Sequence, residues 1–240
     1  MTPTRLREPL RRPDEGFYRS TLEGSRKLPL LTFLPTGLEP RYEYPLLVFF
    51  HQEGANEKQM MRLVPSVSRR NYICLGLRGP ERVFRPATGN FGCSWEGDDA
   101  TDSLIEDYVF AAIEQTCGLL PIHSDRIFLA GLCEGSTPAY RLAFRYPEKF
   151  AGVMAFNGQL PQGGGMLWRL PTLRRLQMFM GHGIANATVP LTTAQRDYRL
   201  LYTAGLNAQL HTYATTHRLH PDMFRDLNRW TMQVVTGTPQ

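Results

Sequence analysis

Six short apolar runs constrain this chain most: Tyr44–His51, Tyr72–Leu77, Arg126–Leu132, Gly152–Asn157, Leu176–Gly181 and Ala208–Tyr213. Each is rich in aliphatic, β-branched or aromatic residues with little polar alternation, as expected of strands buried on both faces of a parallel sheet. Amphipathic helical patterns alternate with them. Ile105, Val109, Ala112 and Thr116 share one face; so do Ala139, Leu142, Ala143 and Tyr146, and later Tyr198, Leu201 and Tyr202. A last helix is expected from Pro221, where a missing N–H costs nothing, with Phe224, Leu227 and Val234 on one side. Parallel strands joined by helical crossovers give an α/β, doubly wound and mostly parallel sheet with helices on both faces. Phe17–Leu38 reads as a pair of antiparallel N-terminal edge strands.

With 240 residues, 42% hydrophobic and 20% charged, the chain suffices for one full core. Residues 15–240 are expected to form a single domain. Residues 1–14, with Arg5, Arg7, Arg11 and Arg12 among three prolines, read as a basic flexible tail rather than a secretory signal. No apolar run is long enough for a membrane span, and a cytoplasmic location is expected. The net charge of +5 and a second basic cluster, Arg169, Arg174 and Arg175, lack the aromatic interleaving of a nucleic-acid site; they read as solvated faces. Cys74, Cys93, Cys117 and Cys133 show no metal-like spacing. Cys74 and Cys117 sit in apolar-periodic segments and read as small buried hydrophobes. No metal and no organic cofactor is implied. The Gly163-Gly164-Gly165 stretch reads as a mobile loop near a site.

The chemistry centres on Arg126–Tyr146. A buried strand runs into Gly131-Leu132-Cys133-Glu134-Gly135, and an amphipathic helix follows at once. This is the strand–turn–helix setting of a G-x-S-x-G nucleophile elbow, with cysteine in the serine place. The glycines permit a tight turn that holds residue 133 strained, and the helix start directs N–H groups and a positive dipole end at it. That environment lowers a thiol's pKa. On this segment alone, a buried cysteine in an ordinary turn is an equal alternative.

Other segments resemble the phospholipase/carboxylesterase group of α/β-hydrolases, which includes lysophospholipases and acyl-protein thioesterases, over roughly Tyr44 to Trp230. PLLVFFHQEGANE looks like the strand and oxyanion loop, LRGPERV and GNFGCSWEG like the Arg-Gly-Pro and aromatic-Ser-Trp segments. FMGHGIANATVP resembles His-Gly-x-x-Asp-x-x-Val-Pro, and LHTYATTHRLHPD the strand and loop carrying the histidine. The resemblance implies an α/β-hydrolase fold with Cys133 as nucleophile, His217 as general base, and Asn186 in the place of the family's aspartate. It implies one oxyanion donor at the Glu134 N–H and a second at Gln52 or Glu53, where position 52 departs from the family's glycine. His51 and His182 are expected to support loops, His220 is a weaker candidate base, and Trp95 and Trp168 are candidates to line an acyl pocket, with aromatic core filling the expected role of at least one. The Glu134 side chain is expected to face solvent or a polar entrance; Asp222 reads as a helix N-terminal acid and Asp125 as a turn residue.

The two triad substitutions are mutually compatible. A thiol can pass its proton to histidine before substrate arrives, and an amide oxygen then orients the ring, as in papain-like Cys-His-Asn proteases. The implied activity is hydrolysis of small-molecule carboxylic esters or thioesters through an acyl-thioester on Cys133. Dienelactone hydrolases and polyhydroxyalkanoate synthases are similar in using cysteine, but the first retain an aspartate and the second are much longer. The alternative is a non-catalytic protein of the same fold that binds a ligand or a protein partner. A homodimer is compatible with the sequence.

Overall fold

The computed structural model of the chain describes residues 16–22, 28–86, 89–97, 99–162 and 170–237. The basic N-terminal segment, the Gly163–Gly165 stretch, Trp168 and Arg169 lie outside the described residues. The chain divides into two compact units, Met1–Ser124 and Asp125–Gln240.

In the first unit, β1 (Phe17–Thr21) and β2 (Pro29–Phe33) pair antiparallel, as expected of the N-terminal strands. β3 (Tyr44–Phe50) follows, then the short helices α1 (Lys58–Met61) and α2 (Val64–Val67), then β4 (Ile73–Leu77). β4 pairs antiparallel with β2 and parallel with β3, giving the order β1-β2-β4-β3. Every residue of β3 and β4 is buried, which is why their sequences read as unbroken apolar runs. A separate antiparallel hairpin, β5 (Glu81–Arg85) and β6 (Asn90–Ser94), was not legible in the sequence, because its charged, largely exposed residues carry no apolar run. Phe84 and Phe91 stand exposed on it with ring centroids 5.3 Å apart. α3 (Asp99–Leu119) buries the expected stripe of Ile105, Val109, Ala112 and Thr116. Cys117 on this helix is exposed, correcting its reading as a buried hydrophobe; Cys74 in β4 is buried.

The second unit is built on β7 (Ile122–Leu132, its first three residues belonging to the first unit), β8 (Gly152–Phe156), β9 (Gln177–Gly183) and β10 (Asn207–Tyr213), paired in parallel in chain order. α4 (Ser136–Arg145), α5 (Leu170–Leu173), α6 (Leu191–Thr203) and α7 (Pro221–Thr236) connect or follow them. The core gathers aromatic rings: Trp230 of α7 lies 6.0 Å from Phe128 and 5.7 Å from Phe179, centroid to centroid. Gly152 of β8 is needed here, since a Cβ would come within 2.7 Å of the Trp230 ring. Two expectations are corrected. Asp125 lies within β7 and not in a turn. On α6 the buried side is Ala194, Asp197 and Leu201, while Tyr202 is exposed. The spacing of the buried face is helical; the sequence disguised it by placing an aspartate inside and a tyrosine outside.

No helix among the described residues is long and apolar enough to cross a membrane.

Candidate active site

Cys133 occupies the turn between β7 and α4. Its φ is +52°, one of two positive values among the described non-glycine residues. A left-handed conformation is costly for a side chain such as cysteine, so the surrounding packing must impose it. Gly131 shows how: a Cβ there would land on the carbonyl oxygen of Gly135 and on Ser136. The Ser136 hydroxyl donates to the Gly131 carbonyl at 3.1 Å and closes the turn. A single 3-10 turn, Cys133–Gly135, leads directly into α4, which sets the start of that helix beside the half-buried Cys133. Glu134 is half-buried and its Oε2 is buried. One carboxylate oxygen is thus withdrawn from solvent, which leaves a polar entrance as the closer of the two expected surroundings.

Asn186 and His217, 31 residues apart in sequence, meet in the structure: His217 Nδ1 lies 3.0 Å from Asn186 Oδ1. The chemistry of the neighbours fixes the protons. The backbone N–H groups of Thr188 and Val189 also donate to Asn186 Oδ1, at 3.0 and 3.1 Å. Backbone N–H groups only donate, so the amide oxygen must face them. His217 Nδ1 therefore carries the proton, and its Nε2 is left with the lone pair in the neutral ring. That is the tautomer a general base needs.

His182 supports this arrangement from beneath. It is buried, and its Nε2–H donates to the Val189 carbonyl at 2.8 Å. The Asn186 amide nitrogen sits 3.4 Å from the same ring atom, which is already a donor, so this is a packing contact. Burial lowers the pKa of His217, and the nearby His182 adds to the shift; burial likewise lowers His182. An aspartate at 186 would have pulled His217 the other way. His220 serves another purpose: its Nδ1 accepts the Asp222 N–H at 3.2 Å and caps α7. Asp222 lies in the first turn of that helix, as read from the sequence.

In the first unit the His51–Ala55 loop is closely tied. His51 is buried, its Nδ1–H donates to the Gln52 carbonyl at 2.7 Å, and its Nε2 accepts the Gly79 N–H at 2.9 Å. Both bonds require a neutral ring, and burial lowers its pKa to about 4. The Trp95 indole N–H donates to the His51 carbonyl at 3.0 Å, and the ring packs on Phe50 and His51. Gly54 and Ala55 are stitched to Cys93 of β6 by two backbone bonds, Gly54 N–H to Cys93 C=O at 2.8 Å and Cys93 N–H to Ala55 C=O at 2.9 Å. The Gln52 N–H is committed to the Gln59 side chain at 3.1 Å. Glu53 N–H makes no hydrogen bond among the described residues. Of the two backbone groups considered for a second oxyanion donor, Glu53 is thus the one still able to donate.

Sequence reasoning missed Asn157 and Asp197 among the buried polar residues. Asn157, just past β8, is fully buried at φ +51°. Asp197 of α6 accepts the Leu160 N–H at 2.8 Å and holds the segment after β8. The signal for Asn157 was present: a polar, turn-tolerant residue before glycine at the end of an apolar strand.

Three comparisons bear on this geometry. The chain is 27% identical over 222 residues to acyl-protein thioesterase 1 of Mycosarcoma maydis, an alignment covering 79% of this chain and 90% of that protein. The crystal structure of Zea mays acyl-protein thioesterase 2 superposes with a TM-score of 0.68 at 16% identity, covering 86% of this chain and 98% of that one. A carboxylesterase from Mesorhizobium loti superposes with a TM-score of 0.69 at 15% identity, covering 89% and 98%. The structural likenesses establish the α/β-hydrolase fold, with a mostly parallel sheet, antiparallel N-terminal strands and flanking helices. Residues 41–235 match the family described as phospholipase/carboxylesterase, and the chain belongs to that family.

Proposed function

We propose that the protein hydrolyses carboxylic esters or thioesters through an acyl-thioester intermediate on Cys133. The observation that carries this reading is the His217–Asn186 pair: a 3.0 Å bond to an amide oxygen already oriented by two backbone donors. That oxygen holds His217 with Nε2 free to take a proton. An orienting amide suits a thiol nucleophile, which is acidic enough to be deprotonated without a carboxylate behind the histidine.

The lowered pKa of His217 refines the expected route. With the thiol protonated, burial keeps this ring in its neutral form, able to accept a proton at Nε2. Cys133 then loses its proton to His217 Nε2 as sulfur attacks the carbonyl, with the Glu134 N–H as one donor to the oxyanion. The imidazolium returns that proton to the departing alcohol or thiol. Water next attacks the thioester, giving its proton to His217; the Cys133 sulfur leaves, is reprotonated, and the carboxylic acid is released. Thioesters are included because the Mycosarcoma maydis relative is named an acyl-protein thioesterase.

Assays with p-nitrophenyl esters and acyl thioesters on the wild-type chain and Cys133→Ala test this. Wild type should turn over, Cys133→Ala should not, and acid-quenched wild type should carry the acyl mass on the peptide containing Cys133. Turnover that persists in Cys133→Ala sinks the proposal; absence of turnover in wild type leaves a ligand-binding role for the fold.

A further inference from the structure

Strand β8 is followed at once by Asn157-Gly158, and these two residues meet the segments that lead to Cys133, Asn186 and His217. The Asn157 N–H donates to the Gly181 carbonyl at 2.9 Å, so the left-handed residue still closes the sheet ladder. Its Oδ1 accepts the Gly183 N–H at 2.9 Å, three residues before Asn186. Its Nδ2 donates to the His217 carbonyl at 3.0 Å and lies 3.4 Å from that of Arg218. A backbone N–H on one side and two carbonyls on the other leave one possible amide orientation. Gly158 completes the junction: a Cβ there would strike the Ser136 side chain and come within 2.8 Å of the Cys133 carbonyl. Above it, the two loops are joined by Ile184 N–H to Tyr213 C=O at 2.9 Å and Ala185 N–H to Thr215 C=O at 3.0 Å.

We propose that Asn157 is a positioning residue: its two-sided amide ties the Gly183 backbone to the His217 backbone and so fixes the orientation in which His217 Nδ1 meets Asn186 and Nε2 faces outward as the base. It touches no substrate. Few side chains suit the task. It must tolerate a left-handed backbone, which asparagine does better than most, and it must donate and accept at once. Aspartate, of the same shape, accepts only. The positioning itself is a property of the fold; its consequence for rate rests on the cysteine-hydrolase reading.

The test uses the full chain labelled with 15N-histidine, reading the tautomer and titration of His217 by imidazole proton–nitrogen correlation, with His217→Gln to assign the signal. Asn157→Asp keeps the acceptor for Gly183 but sets an oxygen against the two carbonyls. Asn157→Gly removes the side chain while accepting the left-handed backbone without strain, which keeps a folded variant available. Both should lower the Nδ1–H fraction of His217 and move its titration midpoint up toward 6.5. Both should reduce kcat/KM by about tenfold to a hundredfold, mostly through kcat. A wild-type tautomer and midpoint in variants that retain native circular dichroism and denaturation overturn the proposal. The two readings separate cleanly. A shifted His217 with turnover surviving in Cys133→Ala keeps the positioning role and sinks the cysteine mechanism; an unmoved His217 with turnover lost in Cys133→Ala does the reverse.

Discussion

An amide oxygen that accepts three hydrogen bonds has little freedom left, and Asn186 is held in that way by Thr188, Val189 and His217. Replacing it by aspartate keeps an acceptor for all three hydrogen bonds and adds a negative charge. Asn186→Asp should therefore fold, and should raise the pKa of His217, seen as an upward shift of the acid limb of the kcat/KM profile. Asn186→Ala strands two backbone N–H groups and the His217 N–H, at about 1–3 kcal/mol for each group left buried. Its loss of stability in urea and of kcat/KM should both exceed those of Asn186→Asp. Equal effects from the two substitutions would show that the oxygen has no role. In the wild type the sign is fixed by His217. Its folded pKa lies below the ordinary 6.5 and its neutral form is the base, so the acid limb of activity should have its midpoint below pH 6.5. These proton positions were not legible in the sequence, since they depend on which backbone groups face Asn186. The identities of Cys133, Asn186 and His217 as candidates were, because each lies in a motif of several residues.

At the scale of elements, the elbow depends on one missing methyl group. Gly131→Ala would force a Cβ onto the backbone of Gly135 and Ser136, and backbone cannot move aside as a flexible side chain can. The substitution should cost about 1–3 kcal/mol of stability, the usual range for overpacking, measurable by urea denaturation. It should also slow iodoacetamide labelling of Cys133 more than labelling of Cys117, which is exposed on α3. The cap of α7 offers a smaller effect: His220→Ala should cost about 1 kcal/mol, and His220→Asn should restore most of it. The strands of the second unit were legible as apolar runs, and the start of α7 as a proline. The hairpin of β5 and β6 was not, because its paired residues are largely exposed and leave no apolar trace. The buried face of α6 was misread for another reason: Asp197 is inside because Leu160 N–H needs an acceptor there.

For the whole molecule, the pH dependence of stability should carry the mark of His51. In the folded chain burial holds its pKa at about 4, against 6.5 for a solvent-exposed imidazole. Above pH 6.5 both states are neutral and the residue contributes nothing to the slope. Below 6.5 the unfolded chain takes up a proton that the folded chain refuses, so stability falls as pH drops toward 4 and then levels. The gap corresponds to on the order of 3 kcal/mol. Urea midpoints measured from pH 7 to pH 4 should decline more steeply for wild type than for His51→Gln. The parallel fold itself was readable from alternation of strand and helix, because burial on both faces leaves a strong compositional trace. The proton positions and buried bonds of His51 are tertiary and leave none.

The left-handed turn at Cys133 also bears on how such a chain drifts under mutation. Glycine would adopt φ +52° freely, so Cys133→Gly should be more stable than wild type, by about 1 kcal/mol. Selection for stability alone would thus push this position toward glycine and away from any nucleophile. On the cysteine-hydrolase reading, the thiol's chemistry is what offsets that conformational cost.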